Sequence, residues 1–187
     1  MSSKFNPRVC LLNFFRESIK MNQIYLNTPL PLCISFDEQF IYRIDFTTAA
    51  MQVSKNKKNL PPLAKKIEEE FWQYFAGKRK IFTLSYKFLK ATDFQKIIWH
   101  QLSKIPYGQT FSYSLLAEKS GQKKSFRAVG GACHRNPLPI LIPCHRVIGK
   151  NQSLGGFAAG LSHKTWLLSH EGSISFHTPR NNIHELK

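Results

Sequence analysis

Acidic side chains are scarce in this chain of 187 residues. Asp and Glu number 11 against 27 Lys and Arg, which leaves a formal net charge of +16. An imbalance of that size selects partners of the opposite sign: nucleic acid, an acidic protein or an anionic membrane surface. Cysteine is sparse too. Cys10, Cys33, Cys133 and Cys144 form no dense framework and contain no Cys-x-x-Cys, so free thiols in a reducing, cytoplasmic setting are expected. No run approaches the roughly 18 apolar residues of a membrane span. The apolar patch Val9–Phe15 is broken by Asn13, is followed by Arg16 and Glu17, and has no small-residue cleavage site, so no secretory leader is expected. Internal repeats and low-complexity segments are also missing, which excludes solenoids and linker proteins.

Hydrophobic residues, at 42%, are enough for a real core. The turn pair Asp37-Glu38 separates Leu32–Phe36 from the alternating run Phe40–Phe46, and both read as strands. Residues 54–59 form a polar loop. Pro61-Pro62 opens a helix whose Leu63, Ile67, Phe71, Tyr74 and Phe75 share one face, and Gly77 closes it. The pattern predicts an α/β (α+β) chain: an N-terminal α/β domain over 1–90, a mostly helical domain over 91–176 and a flexible tail over 177–187.

In the second part, Thr92 with Gln95 three residues on has the form of a capping box. Phe94, Ile97, Ile98, Leu102 and Ile105 then form an apolar stripe. Ser112 caps a short helix to about Lys119, with Leu115 and Leu116 facing in, and Gly121 ends it. A further helix starts within three residues and runs to about His134, which gives a helix-turn-helix outline. From Lys119 to Lys150 there are seven basic residues (Lys119, Lys123, Lys124, Arg127, Arg135, Arg146, Lys150) and no acidic one. Such a run is either a solvated face or a nucleic-acid surface. Gly130 and Gly131 inside the second helix cost roughly 1 kcal/mol each relative to alanine, which close approach of a backbone or ligand would offset.

Pro143-Cys144-His145-Arg146-Val147 is the sharpest local signal, and it follows the apolar run Ile140–Ile142, read as a buried extended segment. A reactive cysteine needs its thiolate favoured. Arg146 supplies charge, and His145 supplies a base or a cation. A carboxylate orients such a base, and Glu118, Glu171 and Glu185 are the only acids after Asp93. Glu171 is the best placed, closing the helix Leu161–His170, whose apolar positions are Leu161, Trp166, Leu167 and Leu168. The residues alone leave open a core thiol, a thiol hydrolase and a zinc site that adds Cys133-His134. The spacing argues against zinc, and the charge argues against a hydrolase.

The Cys box, Ile105-Pro106-Tyr107-Gly108, Arg127-Ala128-Val129-Gly130, Asn136-Pro137 and Leu167-Leu168-x-x-Glu171-Gly172 together resemble the methylated-DNA–protein-cysteine methyltransferases (O6-alkylguanine-DNA alkyltransferases). The resemblance covers about residues 92–172. It implies a cysteine that irreversibly accepts the alkyl group of O6-alkylguanine after the base is flipped from double-stranded DNA, with the second helix in the minor groove. The implied catalytic residues are Cys144 as acceptor, His145 as base, Glu171 as its orienting acid, Asn136 bracing the turn and Tyr113 as proton donor to the leaving guanine. Arg127, Ala128, Gly130, Phe126 and Arg135 are implied at the DNA, with Arg127 filling the gap left by the base. Val147, Phe157, Ala158 and Pro139 are implied at the substrate pocket.

The family implies no cofactor, no membrane and a monomer. Some relatives bind zinc in the N-terminal domain, but Cys10 and Cys33 lack nearby histidines, so no metal is expected, nor is a preceding phosphotriester-repair module. Two departures stand out. Gly155-Gly156-Phe157-Ala158-Ala159-Gly160-Leu161 replaces the usual Gly-x-Tyr-x-Gly-Gly-Leu, so Phe157 lacks a hydroxyl. Phe126 stands where a small residue is usual.

Overall fold

The computed structural model describes residues 21–47, 61–123 and 125–173. The patch Val9–Phe15, Cys10, the loop at 54–59, Lys124, Glu185 and the tail at 177–187 lie outside the described residues. The fold is mixed α/β and divides into two compact units. One comprises Met1–Thr92 with Pro137–Pro139, the other Asp93–Asn136 with Ile140–Lys187.

The first unit holds a three-stranded antiparallel sheet in the order β1 (Asn22–Leu26), β2 (Leu32–Phe36), β3 (Ile41–Phe46). All five residues of β2 are buried, because a central strand is covered on both faces. Asp37 shapes the β2–β3 turn by accepting 2.7 Å bonds from the Gln39 and Phe40 amides. β1 was not expected. Only Ile24 and Leu26 in it are buried, paired with Ile34 and Leu32, and two apolar positions among polar ones carry little pattern. Helix α1 (Pro62–Phe75) buries Ala64, Ile67, Glu70, Phe71, Tyr74 and Phe75, while Leu63 is only half-buried. Glu70 is tolerated inside because it accepts bonds from the Thr83 amide, at 2.8 Å, and the Thr83 hydroxyl.

The second unit packs α2 (Asp93–Leu102), α3 (Tyr113–Lys119) and α4 (Phe126–His134) against one another. A short parallel pair, β4 (Phe111–Ser112) with β5 (Val147–Ile148), and α5 (Leu161–His170) complete it. On α2 the buried face is Ile98, Trp99 and Leu102; Ile97, expected inside, is 43% exposed. The face turns toward Trp99 because its indole N–H donates 2.9 Å to the Ala132 carbonyl, which lets the largest side chain in the helix be buried whole.

Helix α3 is capped as expected. The Ser112 hydroxyl accepts from the Leu115 amide at 3.1 Å. At its other end Gly121 takes φ +71, its amide bonds the Glu118 carbonyl, and the Gln122 amide bonds Ala117 at 2.7 Å. This is a Schellman motif. It lengthens the turn, so α4 begins five residues after Gly121 rather than within three. Ile140–Ile142 is buried or half-buried but not extended. It forms a turn with Ile140 at φ +74, held by a 2.7 Å bond from the Asn136 amide nitrogen to the Ile142 carbonyl. A left-handed conformation is costly for a β-branched residue, and such strain clusters where a fold fixes a functional group.

Candidate active site

That strained turn delivers Cys144. The cysteine opens a single 3-10 turn, Cys144–Arg146, and is only 7% exposed. The Asn136 side chain, already bonded to Ile142, also donates to Cys144 Sγ at 3.1 Å. One amide group therefore fixes both the turn and the sulfur. Burial pushes the Cys144 thiol up, while the Asn136 bond and the nearby Lys164 pull the other way.

His145 is completely buried, with Nε2 at 3.0 Å from Glu171 Oε1. Burial lowers its pKa, so the neutral imidazole predominates at neutral pH. Burial also opposes ionisation of Glu171, yet the bonds from His145 and Arg146 outweigh it and hold the carboxyl well below the usual range. An ionised carboxylate only accepts, so Nε2 carries the proton and Nδ1 is the basic nitrogen. Nδ1 has no hydrogen-bond partner among the described residues.

Arg146 was expected to favour the thiolate. Its guanidinium instead grips Glu171 through Nε–Oε2 at 2.7 Å and Nη2–Oε1 at 2.9 Å, and Nη1 donates to the Ile105 carbonyl at 2.5 Å. The planar fork matches a carboxylate better than it matches a sulfur. Close by, Gly108 has φ +76, and a Cβ there would stand 3.1 Å from the Glu171 carbonyl. A side chain there would take a strained left-handed φ and push that carbonyl back by a few tenths of an ångström, which favours glycine.

Sequence reasoning missed Lys164. It is fully buried and donates to the carbonyls of Val147 at 2.6 Å, Leu154, and Gly156 at 3.5 Å. Burial lowers its pKa to about 8, against the favourable influence of Cys144 and Cys133. Leu161, expected inside on the same helix, is 49% exposed, and the buried face is Lys164, Leu167 and Leu168. The signal was present: Lys164 precedes the Leu167-Leu168 pair by three and four residues, one helical turn.

A cavity of about 250 Å³ opens on the sulfur, lined by Tyr113, Gly130, Cys133, His134, Cys144, Gly156, Phe157 and Ala158. Tyr113, Phe157 and Ala158 thus converge on Cys144, whereas Val147 and Pro139 are not among the lining residues. Gly130, assigned to DNA, lines the cavity, and so does Cys133, read as a structural thiol. Burial and the two thiols push the Tyr113 hydroxyl up to about 12, so it stays protonated at neutral pH. Phe126 (51% exposed), Arg127 and Ala128 lie at the exposed start of α4, and Arg135 caps its end over Gly131. Among the described residues no three His, Cys, Asp or Glu side chains converge as metal ligands would.

These features define a protein with two helices joined by a glycine turn and a buried free thiol beside a buried histidine–carboxylate pair. Residues 93–173 match the family model of the 6-O-methylguanine DNA methyltransferase DNA binding domain. A methylated-DNA–protein-cysteine methyltransferase of Methanosarcina acetivorans is 40% identical over 152 residues, covering 76% of this chain and 92% of that protein. The constitutive enzyme of that name from Bacillus subtilis is 38% identical over 151 residues, covering 77% and 91%. The crystal structure of Mycobacterium tuberculosis OGT in complex with DNA aligns with a TM-score of 0.68 and 31% identity, over 80% of this chain and 91% of that one. An O6-methylguanine DNA methyltransferase from Methanococcus jannaschii aligns at 0.60 and 28%, over 87% and 100%. The chain belongs to the methylated-DNA–protein-cysteine methyltransferase family, with that family's enzyme class and mixed α/β fold.

Proposed function

We propose that this protein repairs DNA by direct reversal, with Cys144 as a single-use acceptor for the alkyl group of O6-alkylguanine and O4-alkylthymine as a second candidate substrate. The carrying observation is the buried Cys144 sulfur, held by Asn136 in a cavity also lined by Tyr113 and Phe157. An atom inside a stacked duplex cannot reach a recessed sulfur, so the base must leave the helix first. The exposed start of α4 supports minor-groove insertion there, with Arg127 filling the gap and Phe126, Ala128 and Arg135 beside it.

The chemistry balances within these residues. The Cys144 proton passes to His145 Nδ1, through a bridging water because no hydrogen bond joins the two side chains directly. Glu171 compensates the imidazolium. The thiolate attacks the alkyl carbon, a C–S bond forms and the C–O6 bond breaks. Tyr113 gives its proton to the departing guanine ring, which leaves neutral, and the proton held by the His145 imidazolium then returns through solvent to the tyrosinate, so both residues end neutral. The family resemblance assigns the guanine amino group to the Cys144 and Val147 carbonyls; Val147 stands outside the cavity lining and its carbonyl already accepts from Lys164, so it would use its second lone pair. The product is a thioether that no neighbouring group can cleave, so turnover ends at one. No cofactor enters the reaction, and the protein acts as a monomer in the cytoplasm.

Intact-protein mass after incubation with duplex DNA bearing O6-methylguanine tests this. The expected result is a gain of about 14 Da, one per molecule, absent in Cys144→Ala although that variant still binds the DNA. Tight binding with no mass change in the wild type would leave a lesion-binding protein instead, and repeated turnover would leave a hydrolase.

A further inference from the structure

The proposed reaction uses one thiol, yet the cavity holds two. Cys133, at the end of α4, lines the same space of about 250 Å³ as Cys144. Both are free, and each is 7% exposed. Asn136 joins their supports. Its main-chain amide donates to the Cys133 carbonyl at 3.3 Å, and its side chain donates to Cys144 Sγ at 3.1 Å. Burial first, and then the charge that Cys144 carries as a thiolate, push the Cys133 thiol up to about 12. Cys133 therefore stays protonated while Cys144 is the nucleophile, and the two do not compete for the first alkyl group.

An alkyl group received by Cys144 comes to lie in the space that Cys133 also lines. We propose that Cys133 is a second acceptor, which captures alkyl groups that stay electrophilic after transfer, those with a halide on the carbon next to the transferred one. The inference rests on the alkyl-transfer reading of this cavity. A methyl thioether is inert and leaves Cys133 idle. A 2-haloethyl thioether is not inert. The Cys144 sulfur uses a lone pair to displace the halide and closes a three-membered cyclic sulfonium. The Cys133 sulfur then attacks a ring carbon. A new C–S bond forms, and the ring C–S bond breaks and returns its pair to the Cys144 sulfur. The Cys133 proton leaves to solvent with the halide, and an ethylene bridge joins two thioethers.

Three physical effects favour the capture. The thiolate that opposed ionisation of Cys133 is replaced first by a neutral thioether and then by a cation, so the influence of Cys144 on its neighbour changes sign. A two-carbon bridge suits sulfurs that face a common space, whereas a disulfide needs them in direct contact. Well-oriented groups in one pocket reach effective concentrations of roughly 10⁵ M or more, so the thiol outruns water for the same carbon. Without a captor the sulfonium is left facing the DNA from which the base came.

1,2-Dibromoethane tests the capture step alone, because its reaction with Cys144 gives the same 2-haloethyl thioether with no DNA present. Intact-protein mass and a tryptic digest are read on the full-length protein. The parent should gain about 26 Da, two hydrogens replaced by one ethylene, and its digest should show residues 128–135 joined to residues 136–146 through Cys133 and Cys144. Cys133→Ser should stop at a hydroxyethyl group on Cys144, a gain of about 44 Da. Should that variant not fold, the parent's digest decides by itself. A parent that carries separate hydroxyethyl groups, bridges any other pair or stays unmodified overturns the proposal, and so does a Cys133→Ser protein that bridges like the parent. A second portion of the parent is given O6-methylguanine DNA. Uptake of a methyl group without a bridge from dibromoethane refutes the capture alone. A bridge from dibromoethane without uptake of methyl refutes the transfer reading.

Discussion

Glu171 holds two partners through three hydrogen bonds. It accepts from His145 and, through both oxygens, from Arg146, in a pocket where it is 5% exposed. Removing its charge leaves a buried guanidinium uncompensated, so Glu171→Gln should lose about 3–5 kcal/mol in a denaturant titration. The same pair sets the acid limb of stability. Both folded-state pKa values are depressed, His145 first by burial and Glu171 by the bonds that outweigh burial. Each contribution is complete above the unfolded pKa and is lost as pH falls toward the folded one. Wild-type stability should therefore decline in two stages, below about pH 6.5 as His145 must charge and below about pH 4.3 as Glu171 must protonate. Melting temperatures between pH 8 and 3 check this, and Glu171→Gln should lack the lower stage. At this scale the sequence was most informative about His145 and Glu171, which the structure brings to 3.0 Å. It misled about Arg146 and was silent about Lys164. A cation's partner is chosen by geometry across 17 to 41 residues, as the Lys164–Val147 and Arg146–Ile105 bonds show.

Helix ends were legible where a side chain or a glycine writes them locally. Tyr113–Lys119 begins at its Ser112 cap and ends before Gly121, as the residues predict. Faces were less legible. Trp99 displaced Ile97 from the core because a carbonyl 33 residues away satisfied its indole, and β1 went unseen because its register is written in β2. The turn at Ile140 was read as extended because buried apolar residues look the same in either conformation. Two glycines give a matched test of element energetics. Gly121 and Gly108 have φ +71 and +76, but a Cβ meets nothing within 4 Å at the first and the Glu171 carbonyl at 3.1 Å at the second. Gly121→Ala should cost only the left-handed penalty, about 1–2 kcal/mol. Gly108→Ala should cost more and should also slow methyl transfer, since the displaced carbonyl belongs to the residue that orients His145. Paired denaturation and single-turnover measurements on the two variants separate the effects; equal costs would mean that Glu171 moves freely.

For the whole molecule, the +16 charge overstates what DNA can use. The run from Lys119 to Lys150 reads as seven cations, but Arg146 is buried on Glu171 and cannot reach a phosphate. Lys119, Lys123, Arg127, Arg135 and Lys150 are the described cations of the run that are exposed. If each neutralises one phosphate, log affinity should fall against log salt with a slope of about −4.5, since each contact on duplex DNA contributes roughly −0.9. A cation that rests on phosphate loses that increment alone when it is removed. Arg127 has a second task in the proposed reaction, so its two effects should separate. Arg127→Ala should reduce the slope by at most about 0.9, yet it should slow methyl transfer further than its weaker binding explains, because an unfilled gap lets the base return to the stack. Lys150→Ala should change binding and transfer in proportion. Affinity measured at several salt concentrations, beside single-turnover rates at saturating DNA, distinguishes the two. A transfer rate for Arg127→Ala that matches the wild type once DNA is saturating would reduce this arginine to a phosphate contact and leave extrusion of the base to the rest of α4.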